Sequence, residues 1–235
     1  MQDFGSAFGL AFGLVLSLDP ELLEIVLLSL RVSLSAVVIA CLVGFPLGAL
    51  IAITRFRGRS AVLVLMNALM GLPPVVVGLA IYLLLSNAGP LGWLRLLYTP
   101  TAMILAQAVL ITPIIAALSR ELIEQLHDEY AEQFQSLCLS PLQSVRALLW
   151  DARYGLLTVA LAGFGRAIAE VGAVIIVGGN IANLTRVMTT AIALETSKGE
   201  LALALALGMV LISIALGINA AVMSLRLTAS RHAFA

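Results

Sequence analysis

Residues 25–53, which read IVLLSLRVSLSAVVIACLVGFPLGALIAI, decide the fold of this chain. Arg31 is the only charged residue in this run, which is longer than the roughly 20 apolar residues that a spanning helix needs. The whole 235-residue chain has 61% hydrophobic and 11% charged residues, where soluble domains average about 25% charged. Its mean hydropathy is +1.09. This composition predicts a membrane protein.

Four further apolar runs are long enough to cross a bilayer, so the sequence predicts an all-α membrane protein with five transmembrane helices. These runs are residues 62–85, 100–119, 154–177 and 201–225. A sixth run, residues 4–18, is too short to cross easily and is followed by Asp19 and Pro20, which are typical of a helix start. We therefore expect residues 1–21 to form an interfacial helix, or one that packs through Gly5, Gly9 and Gly13.

The distribution of basic residues predicts the orientation, because Lys and Arg accumulate on the cytoplasmic side. With five spans, one side of the membrane receives Arg55, Arg57, Arg59, Arg120, Arg146, Arg153, Arg226 and Arg231, and the other receives Arg95, Arg186 and Lys198. The side with more basic residues is predicted to be cytoplasmic. The N-terminus is then outside and the C-terminus is cytoplasmic. The transmembrane domain covers residues 22–226, with a cytoplasmic loop at 120–153 and a cytoplasmic tail at 227–235. No Lys or Arg precedes Arg31, so we expect no cleaved signal peptide.

Several function classes conflict with the sequence. Thirteen basic and thirteen acidic residues leave no net charge, which argues against nucleic-acid binding. The single lysine, Lys198, follows a serine, so the chain lacks the phosphate loop of an ATPase. His127 and His232 fall in polar segments that we expect to be solvated, and no Cys or His pair has the spacing of zinc ligands. We therefore expect a non-enzyme with no catalytic residue, metal or cofactor of its own.

The loop at 120–153 contains the signals of two short helices. Asp128 is predicted to cap a helix that ends near Leu137, and Ser140 to cap a second one, with Pro141 in its first position and Gln143 completing a capping box. An apolar stripe at helical spacing follows, formed by Leu142, Val145, Leu148 and Leu149. The pair is expected either to contact a partner protein or to lie on the bilayer.

The same loop resembles the "EAA" loop of permease subunits in ABC importers. Glu132 occupies the position of the motif's Glu, Cys138 that of its Gly, and Leu148-Leu149-Trp150 follows nine residues later. Gln133 and Phe134 replace small alanines, and Asp151 replaces a final proline. Because a non-glycine residue in the left-handed conformation costs roughly 1–2 kcal/mol, Cys138 predicts a turn of a different shape from the one that glycine forms.

Other segments resemble the molybdate- and tungstate-type permeases of that family. These are LPPVVVG at 72–78, GFGRAIAEVGA at 163–173, GGNI at 178–181 and TRVMTTAIALETSKG at 185–199, the last two being most similar to the tungstate branch. The resemblance covers roughly residues 22–225. It implies the membrane subunit of an importer for tungstate, with molybdate or another tetrahedral oxyanion such as sulfate as the alternative.

The resemblance also implies partners and site residues. The implied assembly is a homodimeric pore in the inner membrane, bound to a dimer of ATPase subunits that hold ATP and Mg, with a binding protein delivering the oxyanion from outside. Coupling to the ATPase falls to Glu132, Cys138, Ser140, Pro141, Leu142, Gln143 and Val145. The segment at 178–200, which is predicted to lie outside and to form a short helix in its middle at 187–194, would contact the binding protein or serve only as a connector.

Charges and prolines within the predicted spans mark the expected translocation path. Arg166 and Glu170 are four residues apart, which predicts one face of the fourth span, and each charge costs roughly 2.5–3.5 kcal/mol at the bilayer centre. They form either a packing salt bridge or part of the path, where Arg166 attracts a dianion. Pro73 and Pro74 between two glycines suggest a gate, while Pro46 and Pro113 are also expected to interrupt spans or to kink them.

Two other classes of membrane protein are less consistent with the sequence. A gradient-driven secondary transporter usually has repeated halves, and no internal repeat is visible here. A structural membrane scaffold would have no use for Arg166 and Glu170 in the bilayer.

Overall fold

The regular secondary structure of the residues that the structure, a computed structural model, describes is helical. The structure describes the backbone of residues 4–232 and the side chains of residues 8–224. The helices are α1 (Phe4–Leu16), α2 (Pro20–Ile53), α3 (Arg59–Met70), α4 (Pro74–Leu85), α5 (Pro100–Glu129), α6 (Ala131–Ser136), α7 (Pro141–Asp151), α8 (Arg153–Ile168), α9 (Gly172–Gly178), α10 (Met188–Lys198) and α11 (Leu201–His232). A 3₁₀ turn covers Gly92–Leu94. The all-α prediction is confirmed.

Three helices are long and apolar enough to cross a membrane by themselves, namely α2, α5 and α11. Two further spans arise if α3 with α4, and α8 with α9, each count as one bent span, so the structure contains three to five candidate spans. The five predicted runs coincide with these elements, and the exact number of spans stays a prediction. Helix α11 continues to His232, so the first part of the predicted tail is helical. Residues 1–3 and 233–235, and the side chain of His232, lie outside the described residues.

The start of α2 follows the sequence signal. Asp19 Oδ1 accepts hydrogen bonds from the backbone N–H groups of Glu21 and Leu22, at 3.0 and 3.2 Å, and Pro20 occupies the first helical position. This arrangement satisfies donors that the first turn of a helix leaves free. Helix α1 is therefore a separate short helix. A Cβ atom added at Gly9 or Gly13 would meet no atom within 4 Å, so these glycines do not pack against the described part of this chain.

Only one of the predicted proline interruptions is a helix break. Pro46 lies inside α2 and Pro113 lies inside α5, and both helices are continuous through them, so the prediction of breaks there is wrong. A proline removes one backbone hydrogen bond, which a long, well-packed helix can tolerate. At Pro73 and Pro74 the helix does break, because α3 ends at Met70 and α4 begins at Pro74.

The chain divides into two compact units. The first contains the residues up to Ser35 together with Pro73–Gln107 and Ala167–Ile218. Within it, α4 and α9 pack backbone against backbone, because a Cβ atom on Gly78 would lie 2.7 Å from the Cα atom of Ala173. Glycine at position 78 is therefore required by this close approach.

The second unit contains Ala36–Leu72, Ala108–Arg166 and the residues from Asn219 onward. Here α2 and α5 approach each other at Gly48, where a Cβ atom would lie 2.2 Å from Ser119 Oγ and 2.5 Å from the carbonyl oxygen of Ala116. Small residues allow this distance between helices in a membrane. This contact fixes the part of α5 that leads into the loop at 120–153.

Candidate functional site

The first segment of the loop differs from the prediction. Helix α5 continues to Glu129, so Asp128 belongs to its last turn and does not cap the next helix. Helix α6 begins after Tyr130, and the side chain of Tyr130 does not cap it. The Asp128 signal failed because the hydrophobic residues Ile123 and Leu126 pack against the core of the second unit and extend α5 beyond the apolar run.

The turn between α6 and α7 has the left-handed conformation in spite of its cysteine. Cys138 has φ of 47°, and its N–H donates to the carbonyl of Gln135 at 3.1 Å. The N–H of Leu139 donates to the carbonyl of Phe134 at 3.2 Å. These bonds satisfy carbonyls at the end of α6. The expectation of a different turn shape is wrong, and the thiol of Cys138 is exposed.

Helix α7 begins as the sequence predicts. Gln143 N–H donates to Ser140 Oγ at 3.4 Å, and Ser140 N–H donates to Gln143 Oε1 at 2.8 Å, which completes the capping box. Pro141 takes the first helical position. The start of α7 is thus fixed by its own residues.

The apolar stripe of α7 is divided between the interior and the surface. Leu148 is fully buried with Ile123 and Leu156, and Val145 and Leu149 pack partly against the same cluster. Leu142 and Trp150 are 79% and 73% exposed. An open depression of about 1060 Å³ lies on this surface, lined by Leu142, Gln143, Val145, Arg146, Ala147, Leu149 and Trp150. The apolar side chains of α7 most available to a partner are therefore Leu142, at the start of the stripe, and Trp150, which follows it.

Asp151, which stands where the family motif has proline, closes the loop. The hydroxyl of Tyr130 donates to Asp151 Oδ2 at 2.9 Å, which joins the residue after α5 to the end of α7. This hydrogen bond raises the pKa of the Tyr130 hydroxyl, because it needs the proton, and the negative charge of Asp151 raises it further. The Tyr130 and Phe134 rings also pack, with centroids 5.9 Å apart. Sequence reasoning missed this contact because the two partners are far apart in sequence.

An ionic cluster anchors the base of the loop in the second unit. Glu124 Oε1 accepts from Arg59 Nη2 at 2.5 Å, and Glu124 Oε2 accepts from Arg120. Arg59 Nε also donates to the carbonyl of Ile51 at 3.3 Å. The spacing of Arg120 and Glu124, four residues apart, was the available sequence signal. The cluster ties α3 to α5.

The seven predicted coupling residues occupy one short stretch of this loop. All of them except Val145 are exposed, and Val145 is half-buried. The second group of predicted residues, Pro73, Pro74, Arg166 and Glu170, lies at the two helix breaks.

The sequence predicted that Arg166 and Glu170 share one face of a continuous helix, and this prediction is wrong. Helix α8 ends at Ile168, so Arg166 lies in its last turn with an exposed side chain, whereas Glu170 follows the helix and is buried. Glu170 Oε1 accepts a hydrogen bond from the N–H of Ala173 at 3.2 Å, in the first turn of α9. A glutamate that caps the next helix favours a break over a continuous helix.

Two distant side chains satisfy carbonyl groups at this break, within the first unit. Gln107 Nε2 donates to the carbonyl of Ala167 at 3.0 Å, and Thr189 Oγ1 donates to the carbonyl of Glu170 at 2.8 Å. Both side chains are buried. Freed carbonyls within a membrane protein need such donors. Sequence reasoning identified neither residue.

The other break begins at the paired prolines. Pro73 precedes α4 in an extended conformation, Pro74 is in the first position of α4, and the carbonyl of Pro73 accepts from the N–H groups of Val76 and Val77 at 3.0 and 3.3 Å. In the first unit α4 then packs on α9 at Gly78.

The segment at 178–200 contains a helix, α10, where residues 187–194 were predicted to be helical, and the helix extends further to Lys198. Its buried first turn is anchored by a hydrogen bond from Met188 N–H to Ser29 Oγ at 2.8 Å. Near its other end, Glu195 pairs with Lys198 at 2.9 Å and with Arg186 at 3.9 Å.

A model of one protein family, described as the binding-protein-dependent transport system inner membrane component, matches residues 44–228. The chain belongs to this family. The match includes the loop with its capped α7 and both helix breaks. The family is the membrane component of ABC importers that work with a binding protein, so a permease role, in the membrane and with ATPase and binding-protein partners, follows from membership.

Curated relatives in the family are similar over most of the chain. The tungstate uptake system permease protein TupB of Peptoclostridium acidaminophilum is 41% identical over 96% of this chain and 99% of its own length. A probable anion ABC transporter permease protein of Haloferax volcanii is 39% identical over 85% of this chain and 88% of its own length. TupB of Campylobacter jejuni is 42% identical over 63% of this chain and 62% of its own length.

Proposed function

We propose that this permease is the membrane subunit of an ATP-driven importer for tungstate. The observation that carries the proposal is the 41% identity to a tungstate uptake permease over 96% of this chain. This similarity covers 96% of the chain and so extends beyond the loop into the segment at 178–200, where GGNI and TRVMTTAIALETSKG resemble the tungstate branch.

The proposed assembly is a homodimer with five spans per chain, its N-terminus outside and its C-terminus in the cytoplasm. The charge asymmetry of the short loops supports this orientation. A dimer of separate ATPase subunits binds ATP and Mg, because this sequence has no phosphate loop. A binding protein delivers the oxyanion from outside. Helix α1 lies at the interface or packs against a neighbouring helix of the assembly.

The loop around α7 is the proposed docking element for the ATPase. It includes Glu132, Cys138, Ser140, Pro141, Leu142, Gln143 and Val145. The exposed Leu142 and Trp150 would insert into the partner, while the buried Leu148 and the ionic cluster at Glu124 hold the loop to the spans. Movement of the ATPase subunits would reach the spans through this connection, and the two states differ in the contacts they make.

The two breaks are the proposed site of the translocation path. Arg166 supplies positive potential for a dianion, Glu170 limits how tightly the dianion is held, and Pro73 and Pro74 provide the break that forms the gate. The chain itself carries no catalytic residue in this proposal. Selection of the ion belongs mainly to the binding protein, because tungstate and molybdate are nearly identical in shape and charge.

Transport by a reconstituted complex tests the proposal. The permease, its ATPase subunits and its binding protein are placed in proteoliposomes, and tungstate taken up is measured by elemental analysis. We expect uptake that needs ATP and the binding protein, with weaker uptake of molybdate and sulfate. Preferred uptake of molybdate or sulfate would reassign the ion, and uptake driven by an ion gradient without ATP would favour a secondary transporter.

A further inference from the structure

The first turn of α10 contacts the break between α8 and α9 directly. Thr189 Oγ1 donates to the carbonyl of Glu170 at 2.8 Å, and the neighbouring Met188 N–H donates to Ser29 Oγ in α2, also at 2.8 Å. All four residues are buried. The buried end of α10 is therefore fixed to two other parts of the first unit by specific hydrogen bonds.

The opposite end of α10 is exposed. Residues 196–200 are accessible, and Lys198 has a side chain that is 46% exposed. It pairs with Glu195, which is only 3% exposed and also lies 3.9 Å from Arg186. A helix of 11 residues is about 16 Å long. One rigid element thus runs from an exposed surface to the break.

The break depends on the donor that α10 provides. The carbonyl of Ala167 accepts from Gln107 Nε2 in α5 and from the N–H of Glu170, and the Glu170 carboxylate accepts from the N–H of Ala173 in the first turn of α9. The carbonyl of Glu170 accepts from Thr189 on α10. A displacement of α10 would consequently act first on the Glu170 backbone, whose N–H in turn donates to the carbonyl of Ala167 at 3.1 Å. Leaving this buried carbonyl without a donor is unfavourable.

We propose that α10 transmits docking of the binding protein, at its exposed end, to the break through the bond between Thr189 and Glu170. Thr189 is then a positioning residue, since it acts on the translocation path through another residue. This inference rests on the proposed importer function and adds a physical route by which the loaded binding protein changes the transport site.

The test compares three variants in the complex of permease, ATPase and tungstate-loaded binding protein. Thr189→Val keeps the volume and removes the donor, and Thr189→Ser restores the donor. Thr112→Val is the matched control, because Thr112 Oγ1 bonds to the carbonyl of Ala108 in its own helix, at 2.6 Å. The measurements are the basal ATPase rate, its stimulation by the loaded binding protein, and the affinity for that protein.

We expect Thr189→Val to lose roughly three- to tenfold of the stimulation, the range that one hydrogen bond supports. Its basal rate and its affinity for the binding protein should be unchanged, and Thr189→Ser and Thr112→Val should behave as the wild type. Undiminished stimulation in Thr189→Val, lost affinity for the binding protein, or failure of serine to restore stimulation would each overturn the inference.

A second measurement reports on the break without relying on ATP hydrolysis. Ala169 is exposed at the break, so Ala169→Cys, with Cys41 and Cys138 replaced by serine, can be labelled with a maleimide. Adding the loaded binding protein should change the labelling rate with Thr189 present and not with Thr189→Val. Thr189→Ala replaces the valine variant if that protein does not assemble. A wild-type complex that no loaded binding protein stimulates would instead refute the proposed function itself.

Discussion

Leu142 and Leu148 lie six positions apart in α7, and replacing each with alanine should affect different properties of the permease. Leu148 is 0% exposed and packs with Ile123, Ala152 and Leu156. Replacing a buried leucine with alanine removes contacts and leaves a cavity, which costs about 2–5 kcal/mol of the free energy of unfolding. Leu148→Ala should therefore destabilise the permease before any partner is present.

Leu142 is 79% exposed, so only about a fifth of its side chain is buried in the free permease. A fully buried leucine contributes roughly 2 kcal/mol, so Leu142→Ala should cost the isolated protein about 0.4 kcal/mol. If the ATPase covers the exposed remainder, the complex loses about 1.5 kcal/mol. This corresponds to a roughly tenfold weaker Kd for the ATPase.

The assay measures thermal unfolding of the purified permease variants and, separately, titrates each with the ATPase subunit. We expect Leu148→Ala to unfold at a clearly lower temperature and Leu142→Ala to unfold as the wild type does while binding the ATPase more weakly. Unchanged ATPase affinity in Leu142→Ala would refute the docking role of α7 and support the alternative that the loop lies on the bilayer. Equal destabilisation by the two variants would refute the packing argument.

Three further substitutions test other parts of the structure. Gly78→Ala places a Cβ atom 2.7 Å from a backbone atom, so it should destabilise the protein by about 1–3 kcal/mol in thermal unfolding, whereas Gly165→Ala meets no atom within 4 Å and should not. Glu124→Gln breaks two partly exposed ion pairs and should lower the free energy of unfolding by about 1 kcal/mol or less, and this loss should be smaller in about 0.5 M salt. A loss that does not change with salt would contradict this prediction. Tyr130→Phe removes the bond to Asp151. Because the pKa of Tyr130 is raised in the folded protein, the stability lost in Tyr130→Phe should be constant below about pH 10 and should disappear as the pH rises above it. A loss of stability that grew at alkaline pH would contradict this prediction.

Local signals in the sequence predicted local structure well. Asp19 and Pro20 marked the start of α2, and Ser140, Pro141 and Gln143 marked the start of α7, because capping uses residues within one helical turn. The apolar runs located the candidate spans for the same reason, since hydropathy is a property of consecutive residues. The identity of the family was also readable from motifs, and its confirmation rests on the match over residues 44–228.

Errors arose where a tertiary contact overrides a local signal. Pro46 and Pro113 were expected to interrupt spans, yet the helices continue through them. Asp128 is a good capping residue, but the packing of Ile123 carries α5 past it. On α7 the sequence placed Leu142 and Leu148 in one apolar stripe, and the burial of Leu148 alone could not be foreseen because it depends on which other helices lie beneath it.

The break at Ala167 to Gly172 shows why helix breaks in a membrane are hard to predict from sequence. Arg166 and Glu170 have the spacing of a helix face, and no proline interrupts the segment. Besides the local bond from the Glu170 N–H to the carbonyl of Ala167, distant side-chain donors reach the carbonyl groups of both Ala167 and Glu170. Those donors come from Gln107 and Thr189, which are 60 residues before one carbonyl and 19 after the other. The break is therefore stabilised jointly by three segments, and a substitution at Gln107 or Thr189 removes one of its donors.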